Sequence, residues 1–269
     1  MTTRRVAALL GILVVIALVS GCVTVPSSDD PGSETEPDPD TLFEGIYVYD
    51  DALEDVDGVV TGEWAGYNQT LSEREHIQER PYTDSRTETL ESSATDQETP
   101  VLISNDTTRW WYYPDLEQAD YYVPDGAPYE DDEIQSERTT MAETERERYD
   151  LEYGGTDEVA DREAHVLDLE PKNESVETGV SVLVGESTYV FALETIDYED
   201  EDELQRVSHT VWLDAEYNYP LKEAVVWERD DGSEYQITEG FESVTFNSGL
   251  EDETFEFEPP DDVDVYEIE

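Results

Sequence analysis

The chain is poor in cysteine, in histidine and in positive charge. Its 269 residues include one cysteine, so no disulfide can form within the chain. The three histidines, His76, His165 and His209, are scattered without the spacing of metal ligands. Lys and Arg number 14 against 71 Asp and Glu, which gives a formal net charge of -57. Because like charges repel, nucleic acid and anionic lipid surfaces are unfavourable partners.

Motifs of catalysis are also missing. The sequence contains no Gly-x-Ser-x-Gly, no phosphate loop and no His-Glu-x-x-His. His209 alternates with Val207 and Val211, which is typical of a core histidine on a strand. Carboxylates are so frequent that their closeness in sequence indicates neither a metal site nor an acid–base pair. We therefore expect no enzyme activity, no cofactor and no metal; an acid–base hydrolase is the alternative.

Acidic residues occur in nearly every segment rather than in one tail. This distribution is typical of proteins from salt-loving archaea, where molar salt shortens the Debye length to about 3 Å. An acidic disordered protein is the alternative. It fits poorly, because 5 Trp, 17 Tyr and 37% apolar residues can build a core, whereas disordered chains are poor in aromatics.

The N-terminal segment has the form of an export signal. Arg4 and Arg5 precede the apolar run 6–19, which is shorter than the roughly 20 residues of a spanning helix. Small residues and Cys22 follow. We predict that residues 1–21 are a lipoprotein signal peptide, and that lipid on Cys22 anchors the protein to the outer face of the cytoplasmic membrane. An unlipidated signal or a short membrane anchor is the alternative.

The export route has two interpretations. Arg4 and Arg5 with their neighbours resemble a twin-arginine signal, which directs the export of folded proteins. Two adjacent arginines are equally an ordinary positive start.

After the signal, residues 22–41 are rich in Pro, Ser, Asp and Glu, which predicts a disordered acidic tether. Residues 42–269 form the folded domain. Thr41 and Glu44 have the spacing of a capping box and predict a helix over 42–56.

A second helix is predicted over residues 131–151. Ile134, Met141 and Tyr149 are its sparse apolar anchors, and Gly154-Gly155 ends it.

Apolar segments at short spacing predict antiparallel strands. A half-buried strand is expected over 207–213, and residues 244–247 are the last predicted strand. Hairpins are predicted around Asn105-Asp106, Gly185-Glu186 and Asp231-Gly232. Because an antiparallel sheet must cover one face, these elements predict an α+β fold, mainly β, in which a curved antiparallel sheet wraps round helices.

Several motifs resemble the LolA/LolB-like lipoprotein-carrier superfamily. Four of them follow in the order of that family: Val-Trp-Leu-Asp at 211–214, Pro-Leu-Lys at 220–222, Phe-Glu-Ser-Val-Thr-Phe-Asn at 241–247 and Phe-Glu-Phe-Glu-Pro-Pro at 255–260. Residues 101–110 match its central hairpin, with Asn105-Asp106 where Asn-Gly is usual. The resemblance covers residues 42–264, although residues 176–200 exceed the usual length.

This resemblance implies an incomplete β-barrel with helices across its concave face. In the family, an apolar cavity takes acyl chains of lipids or lipoproteins, and a related branch senses envelope stress by binding a membrane partner. A shuttle must leave the membrane, whereas Cys22 anchors this chain. We therefore expect an anchored acceptor for an acyl or isoprenoid chain or a lipidated protein. A non-enzymatic sensor or scaffold that binds an envelope protein is the alternative.

Four aromatic residues are candidates for lining such a cavity: Trp64, Trp110, Tyr112 and Trp212. Consecutive residues of a strand point to opposite faces, so only half of the aromatic run 110–113 can face one cavity. Packing within the core is the alternative for each of them.

Three Asn-x-Ser/Thr sequons, at Asn68, Asn105 and Asn173, are candidates for N-glycosylation in an exported protein. Asn105 is predicted at a hairpin tip, which favours access. The alternative is that none is modified.

The anchor can be tested by Cys22→Ser. We predict that this change frees the protein from the membrane fraction, because lipid supplies the anchoring and the tether has no apolar face. A single acyl chain binds a membrane only marginally, so stable anchoring indicates two chains. The measurement is the distribution of both proteins between washed membranes and supernatant. Retention of the variant after removal of its signal would contradict a lipid anchor.

The dense negative charge predicts a dependence on salt. Above about 1 M salt the domain should fold cooperatively, whereas near 0.01 M, where the Debye length reaches about 30 Å, self-repulsion should partly unfold it. Melting temperatures from circular dichroism in the two conditions test this. Equal melting temperatures would show that screening of charge is not needed for the fold.

Overall fold

Alternating apolar and polar residues place most of the described chain in strands. The computed structural model describes residues 36–66, 69–93, 100–124, 131–172, 179–182, 194–197, 205–229 and 231–268. The predicted signal peptide, Cys22, Asn68, Asn173 and the Gly185-Glu186 turn lie outside these residues.

The two α-helices are α1 (Pro39–Tyr47) and α2 (Asp131–Arg146). The strands are β1 (Val56–Gly66), β2 (Gln69–Arg80), β3 (Asp84–Ser92), β4 (Val101–Ser104), β5 (Arg109–Tyr113), β6 (Gln118–Tyr122), β7 (Tyr149–Val159), β8 (Arg162–Pro171), β9 (Gly179–Val182), β10 (Glu194–Asp197), β11 (Gln205–Asp214), β12 (Pro220–Glu228), β13 (Glu234–Phe246) and β14 (Asp264–Glu267). Within the described ranges, neither helix is long and apolar enough to cross a membrane.

Twelve strands form one open sheet in the order β14–β6–β5–β4–β3–β2–β1–β13–β12–β11–β8–β7, while β9 and β10 pair separately. Neighbours are antiparallel except β14 and β6, which run parallel. The edges β14 and β7 do not pair, so the sheet is an incomplete barrel. The predicted fold class is therefore confirmed. The predicted hairpins at Asn105-Asp106 and Asp231-Gly232 are confirmed as well, joining β4 to β5 and β12 to β13.

Helix α1 begins earlier and ends earlier than predicted. Asp38 caps it by accepting a hydrogen bond from the backbone N–H of Asp40, and Pro39 occupies the first turn, where its missing N–H is harmless. Thr41 therefore lies inside the helix and is not its cap, and the last residues assigned to the tether are helical. The helix ends at Tyr47, because Val48 is extended.

The prediction that this helix reaches residue 56 is wrong. Tyr49, Leu53 and Val56 continue the apolar pattern, but they do so in a non-helical segment and the start of β1. There they pack with Tyr82 and with Ile134 of α2. Tertiary packing, rather than helical periodicity, accounts for their apolar character.

Helix α2 also ends earlier than predicted, at Arg146, and β7 begins at Tyr149. Gly154-Gly155 does not end a helix. The pairing between β7 and β8 steps from Tyr153 to Gly155, so Gly154 is the extra residue of a β-bulge. Gly155 has φ +99°, a backbone angle that glycine adopts without strain.

Both helices lie on the same face of the sheet, called here the helix face; the opposite face is called the outer face. The core beneath the helices joins α1 and Ala142 of α2 to β7, β8 and β11. Its buried members are Leu42, Phe43, Ile46, Tyr47, Ala142, Tyr149, Leu167, Leu169, Val211 and Leu213.

Arg138 of α2 is buried between the helices and the sheet. Its Nη1 donates a hydrogen bond to the carbonyl oxygen of Tyr47 at 3.1 Å. Its guanidinium carbon lies 4.8 Å from the ring centre of Tyr82 and 5.5 Å from that of Tyr49. These cation–π contacts fix α2 to the turn after β2 and to the segment after α1.

On the outer face, residues 248–263, called here the C-terminal strap, cross the β4–β5–β6 region. Phe257 contacts Trp110 and Tyr112, with ring centres 5.3 and 5.0 Å apart. The strap leads into β14, which adds to the sheet beside β6.

Asp55 fixes the start of the strap. Its carboxylate accepts hydrogen bonds from the backbone N–H groups of Ser248, Gly249 and Leu250 and from the Ser248 hydroxyl. Burial alone would raise the pKa of Asp55, but these hydrogen bonds outweigh it and hold the pKa below its usual value.

Asp55→Asn tests this attachment. The amide keeps one acceptor oxygen and turns an N–H₂ group toward donors, so we predict a loss of about 1.5–3 kcal/mol in the free energy of unfolding. Urea titration in high salt measures it. Asp50→Asn is the matched control, because Asp50 is exposed and its carboxylate accepts a local hydrogen bond from the backbone N–H of Ala52.

The same prediction has a pH dependence. A lowered pKa in the folded state stabilises it above the ordinary carboxyl pKa of about 4, and this contribution is lost as the pH falls through the lowered value. The difference between wild type and Asp55→Asn should therefore shrink in acid. A difference that stays constant down to the acid transition would contradict this assignment.

Candidate functional site

Strand β1 has glycines on the helix face at the positions where aromatic rings lie against the strand. A Cβ atom at Gly58 would come 2.7 Å from the ring of Phe241, and one at Gly62 would come 2.8 Å from the ring of Trp64. Both distances are too short for carbon atoms. Glycine at these two positions therefore lets the rings lie flat against the strand.

An apolar row crosses the helix face at this level. Val225, Ile237, Trp64 and Leu71 are directly paired across β12, β13, β1 and β2. Three strand spacings make the row about 14 Å long. Val225 is 1% exposed, Ile237 and Trp64 are half-buried, and Leu71 is 45% exposed. The row thus runs from the core to the surface.

A cavity lies beyond the buried end of this row, where two strands separate. Strand β8 pairs with β11 only from Ala164 to Asp168. Beyond that point β8 continues beside β7 and β11 continues beside β12. The gap is a cavity of about 430 Å³, called here the slot, lined by residues 150–152 of β7, 168–171 of β8 and 205–209 of β11.

A β-bulge shapes the β11 side of the slot. The pairing with β12 steps from Arg206 to Ser208, so Val207 is the extra residue. On a regular strand Arg206 and His209 would face opposite sides, because they are three positions apart. The bulge turns both toward the interior and leaves Val207 57% exposed. The predicted inward alternation of Val207 with His209 is therefore wrong.

The floor of the slot is polar and buried. His209 is 1% exposed, and its Nε2 lies 2.6 Å from Oε1 of Glu223. Among the described residues, its Nδ1 has no hydrogen-bond partner. Arg206 is 6% exposed and donates from Nη1 to the hydroxyl of Tyr149 at 3.5 Å. His209 is thus a core histidine, as expected, but it borders a cavity.

Carboxylates surround the mouth of the slot. Four lining residues are exposed acids on β7 and β8: Asp150, Glu152, Asp168 and Glu170. Two of them have polar neighbours, since Lys172 lies 3.4 Å from Asp150 and the hydroxyl of Thr210 donates to Asp168 at 2.5 Å. The floor thus contains an arginine, a histidine and a glutamate, and the mouth contains four carboxylates with one lysine beside them.

The structure separates the four aromatic residues predicted to line one cavity. Trp64 lies in the apolar row on the helix face. Trp110 and Tyr112 lie on the outer face, under Phe257 of the C-terminal strap. The prediction that these two face the concave side is wrong. On β5, Trp111 and Tyr113 are the residues on the helix face.

Trp212 also faces outward. Its Nε1 donates to Asp157 at 3.1 Å, and the ammonium of Lys222 lies 4.4 Å from its ring centre. Hydrogen bonds from the backbone N–H of Glu158 and from Trp212 lower the pKa of Asp157. Trp212 is held at the surface by these contacts and does not line the concave side.

Among the predicted glycosylation sites, Asn105 is described. It lies at the β4–β5 turn, where its Oδ1 accepts from the backbone N–H groups of Thr107 and Thr108. Its Nδ2 donates to the carbonyl oxygen of Phe255 at 3.0 Å, which ties the turn to the C-terminal strap. Its glycosylation stays a prediction.

A second hollow, of about 620 Å³, lies beside this turn. Arg80 occupies its wall with structural contacts: its Nη1 lies 3.2 Å from Asp84 and 2.8 Å from Asp252, and its guanidinium lies 5.1 Å from the ring centre of Phe255. Across the described ranges, no three His, Cys, Asp or Glu side chains are arranged to hold a metal ion.

Arg206 and Glu223 were not identified from the sequence. Regular alternation would not bring Arg206 to the side of His209, and the bulge at Val207 does so. Glu223 shares the face of Val225 and His209 by the regular alternation of β12. Arg206 directly precedes the predicted strand 207–213, so no sequence signal placed it on that strand or beside His209.

No protein-family model and no curated protein matches the sequence. Solved structures similar to the chain include the MucA/MucB complex of Pseudomonas aeruginosa, at 13% identity and a TM-score of 0.44 over 82% of this chain and 62% of that chain. The chain thus spans about three fifths of the length of that relative.

In two further solved structures, the match extends over almost the whole of the other chain. A LolA superfamily protein from Nitrosomonas europaea is 12% identical, with a TM-score of 0.34 over 81% of this chain and 96% of that chain. A putative outer membrane lipoprotein-sorting protein domain from Vibrio parahaemolyticus is 11% identical, with a TM-score of 0.31 over 81% and 94%.

Proposed function

We propose that the protein is a non-enzymatic lipoprotein, exported and anchored to the outer face of the membrane through Cys22, that binds one long alkyl or isoprenoid chain on its sheet. The apolar row of Val225, Ile237, Trp64 and Leu71 carries this proposal. It offers an unbroken line of apolar side chains from the core to the surface, and Gly62 beside it leaves room for the ring of Trp64.

The hydrophobic effect gives such a site enough free energy. Each methylene buried contributes about 0.8 kcal/mol, so eight contribute roughly 6 kcal/mol before the costs of ordering the ligand. The row of about 14 Å accommodates a chain of that order. Half-buried Trp64 and exposed Leu71 supply apolar surface that the ligand would remove from water.

The lipid anchor determines how a ligand would reach the protein. A protein held by lipid on Cys22 stays at its membrane, so the chain must reach it from a neighbouring lipid or from a lipidated protein. The proposed role is therefore that of an acceptor rather than a diffusing shuttle.

A sensor or scaffold that binds an envelope protein is the second candidate. Strand β14 is an edge of the sheet and exposes Val265, Tyr266 and, just after it, Ile268. An edge strand with apolar side chains can accept an extended segment of a partner as a further strand.

A titration across chain lengths tests the leading proposal. In high salt, affinity for straight-chain fatty acids should rise by up to about fourfold per added methylene, until the row is filled. Trp64→Ala should weaken binding at least about tenfold, whereas Trp212→Ala, which removes a tryptophan from the outer face, should not. Mass spectrometry of the purified protein should detect retained lipid.

Two results together would exclude chain binding: affinity that does not change with chain length, and no lipid retained through purification. The sensor or scaffold would then replace it. A pull-down that compares the wild-type protein with a variant carrying charged residues in place of Val265 and Ile268 would test that second candidate.

A further inference from the structure

At the β14 edge of the sheet, the helix face has a group of aromatic side chains around one carboxylate, called here the edge patch. We infer that the edge patch binds an organic ammonium ion, with Asp120 as its counter-ion and the rings of Trp111 and Tyr266 on either side. The patch lies on β5, β6 and β14, whereas the apolar row lies on β12, β13, β1 and β2. The inference therefore does not depend on the proposed function.

Strand pairing places these three residues in one row. Trp111 of β5 is paired with Asp120 of β6, which is paired in turn with Tyr266 of β14. Neighbouring strands are about 5 Å apart, and directly paired residues project to the same face. Tyr122 lies two residues further along β6, on that face as well. Aromatic residues thus flank Asp120 on three sides.

Alternation along β6 directs Asp120 to the helix face. The next residue, Tyr121, contacts Trp110 on the outer face, with ring centres 4.9 Å apart. Gln118 donates from Nε2 to Oδ1 of Asp120 at 2.8 Å, as expected for two side chains that share a face. Asp120 is only half-buried, so its carboxylate remains accessible from the concave side.

Three charged residues belong to the edge patch: Asp120, Asp264 and Arg109. Asp264 is exposed and is paired with Gln118, and Arg109 is paired with Tyr122. Arg109 has contacts of its own, and within the described ranges no ion pair joins it to either acid. The negative charge of Asp120 is therefore not neutralised within the patch, and a cation from solution can balance it.

The surrounding rings favour an organic ammonium ion over other cations. The face of an aromatic ring attracts a cation within about 6 Å of its centre, and Trp does so most strongly. A cation above Asp120 is within that reach of the residues on both neighbouring strands. A metal ion instead requires several ligand atoms, and across the described ranges no three His, Cys, Asp or Glu side chains are arranged to hold one. Methyl groups on the nitrogen would also remove apolar ring surface from water.

The experiment compares choline with its neutral isostere, in which a carbon atom replaces the charged nitrogen. The full chain with Cys22→Ser is titrated with each compound in molar sodium chloride, and NMR follows the methyl resonance of the ligand. Choline should bind at least about tenfold more tightly, because the contacts with the rings and with the carboxylate require the positive charge. Equal affinity for the two compounds would overturn the site.

Variants locate the cation. Asp120→Asn and Tyr266→Leu should each weaken choline binding about three- to tenfold. Tyr266 is 52% exposed, so its replacement leaves the core unchanged. Glu267→Gln is the matched control for Asp120→Asn, because Glu267 lies on β14 but faces outward, where it accepts from the hydroxyl of Tyr121 at 3.2 Å. It should bind choline like the wild type. An equal loss in Glu267→Gln and Asp120→Asn would show attraction by overall acidity and would overturn the site.

A second titration identifies the source of the ammonium ion. Dodecyltrimethylammonium and dodecanol are compared with choline under the same conditions. Dodecyltrimethylammonium that binds no more tightly than choline identifies a small free ammonium compound as the ligand. Tighter binding that Asp120→Asn weakens identifies the ammonium headgroup of an amphiphile. Tight binding of both dodecyl compounds that Asp120→Asn leaves unchanged would overturn the ammonium site and support the proposed function alone.

Discussion

One buried cation holds the helices to the sheet. The only described side chains of α2 that are fully buried are Ile134, Arg138 and Ala142, spaced four residues apart along one narrow stripe. Arg138 is the central one, and it contacts α1, the segment after α1 and the turn after β2 together. The helix layer is thus attached by the apolar core beneath it and by one buried arginine. Two tyrosine rings and a main-chain carbonyl contact the guanidinium of that arginine in place of water.

Local patterns predicted the strands well, because hairpin turns and alternation depend on residues close in sequence. The β4–β5 and β12–β13 hairpins, and the open antiparallel sheet, follow from such signals. The errors arose where distant contacts decide. Tyr49 and Leu53 resemble helix positions but pack against residues far along the chain, and Gly154-Gly155 serves a bulge rather than a helix end. Strand β14 has no strong local pattern and forms beside β6 only because the C-terminal strap brings it there.

The candidate site was less predictable than the fold. Trp64, a predicted cavity residue, lies in the apolar row on the helix face, and His209 was placed correctly in the core. Arg206 was missed because the bulge at Val207 changes the face to which it points, and no local sequence pattern indicates that bulge. Glu223 was missed because its pairing with His209 is a contact between two strands. Trp110, Tyr112 and Trp212 were misplaced because aromatic character does not show which face of a sheet a side chain occupies.

The motifs that carry the family resemblance have structural roles here. Asp214 is buried and accepts two hydrogen bonds from Arg162, at 2.5 and 3.1 Å. Asn247 accepts from the backbone N–H of Glu54, and Phe257 covers the outer face. The slot residues lie outside these motifs, so the resemblance describes the scaffold more than the ligand.

The strap has a further consequence for folding. Strand β1 pairs with β13 and β6 pairs with β14, so the first half of the sheet gains its last neighbours from the end of the chain. Such non-local pairing raises the contact order and slows folding, and the sheet can be completed only after β14 has been synthesised.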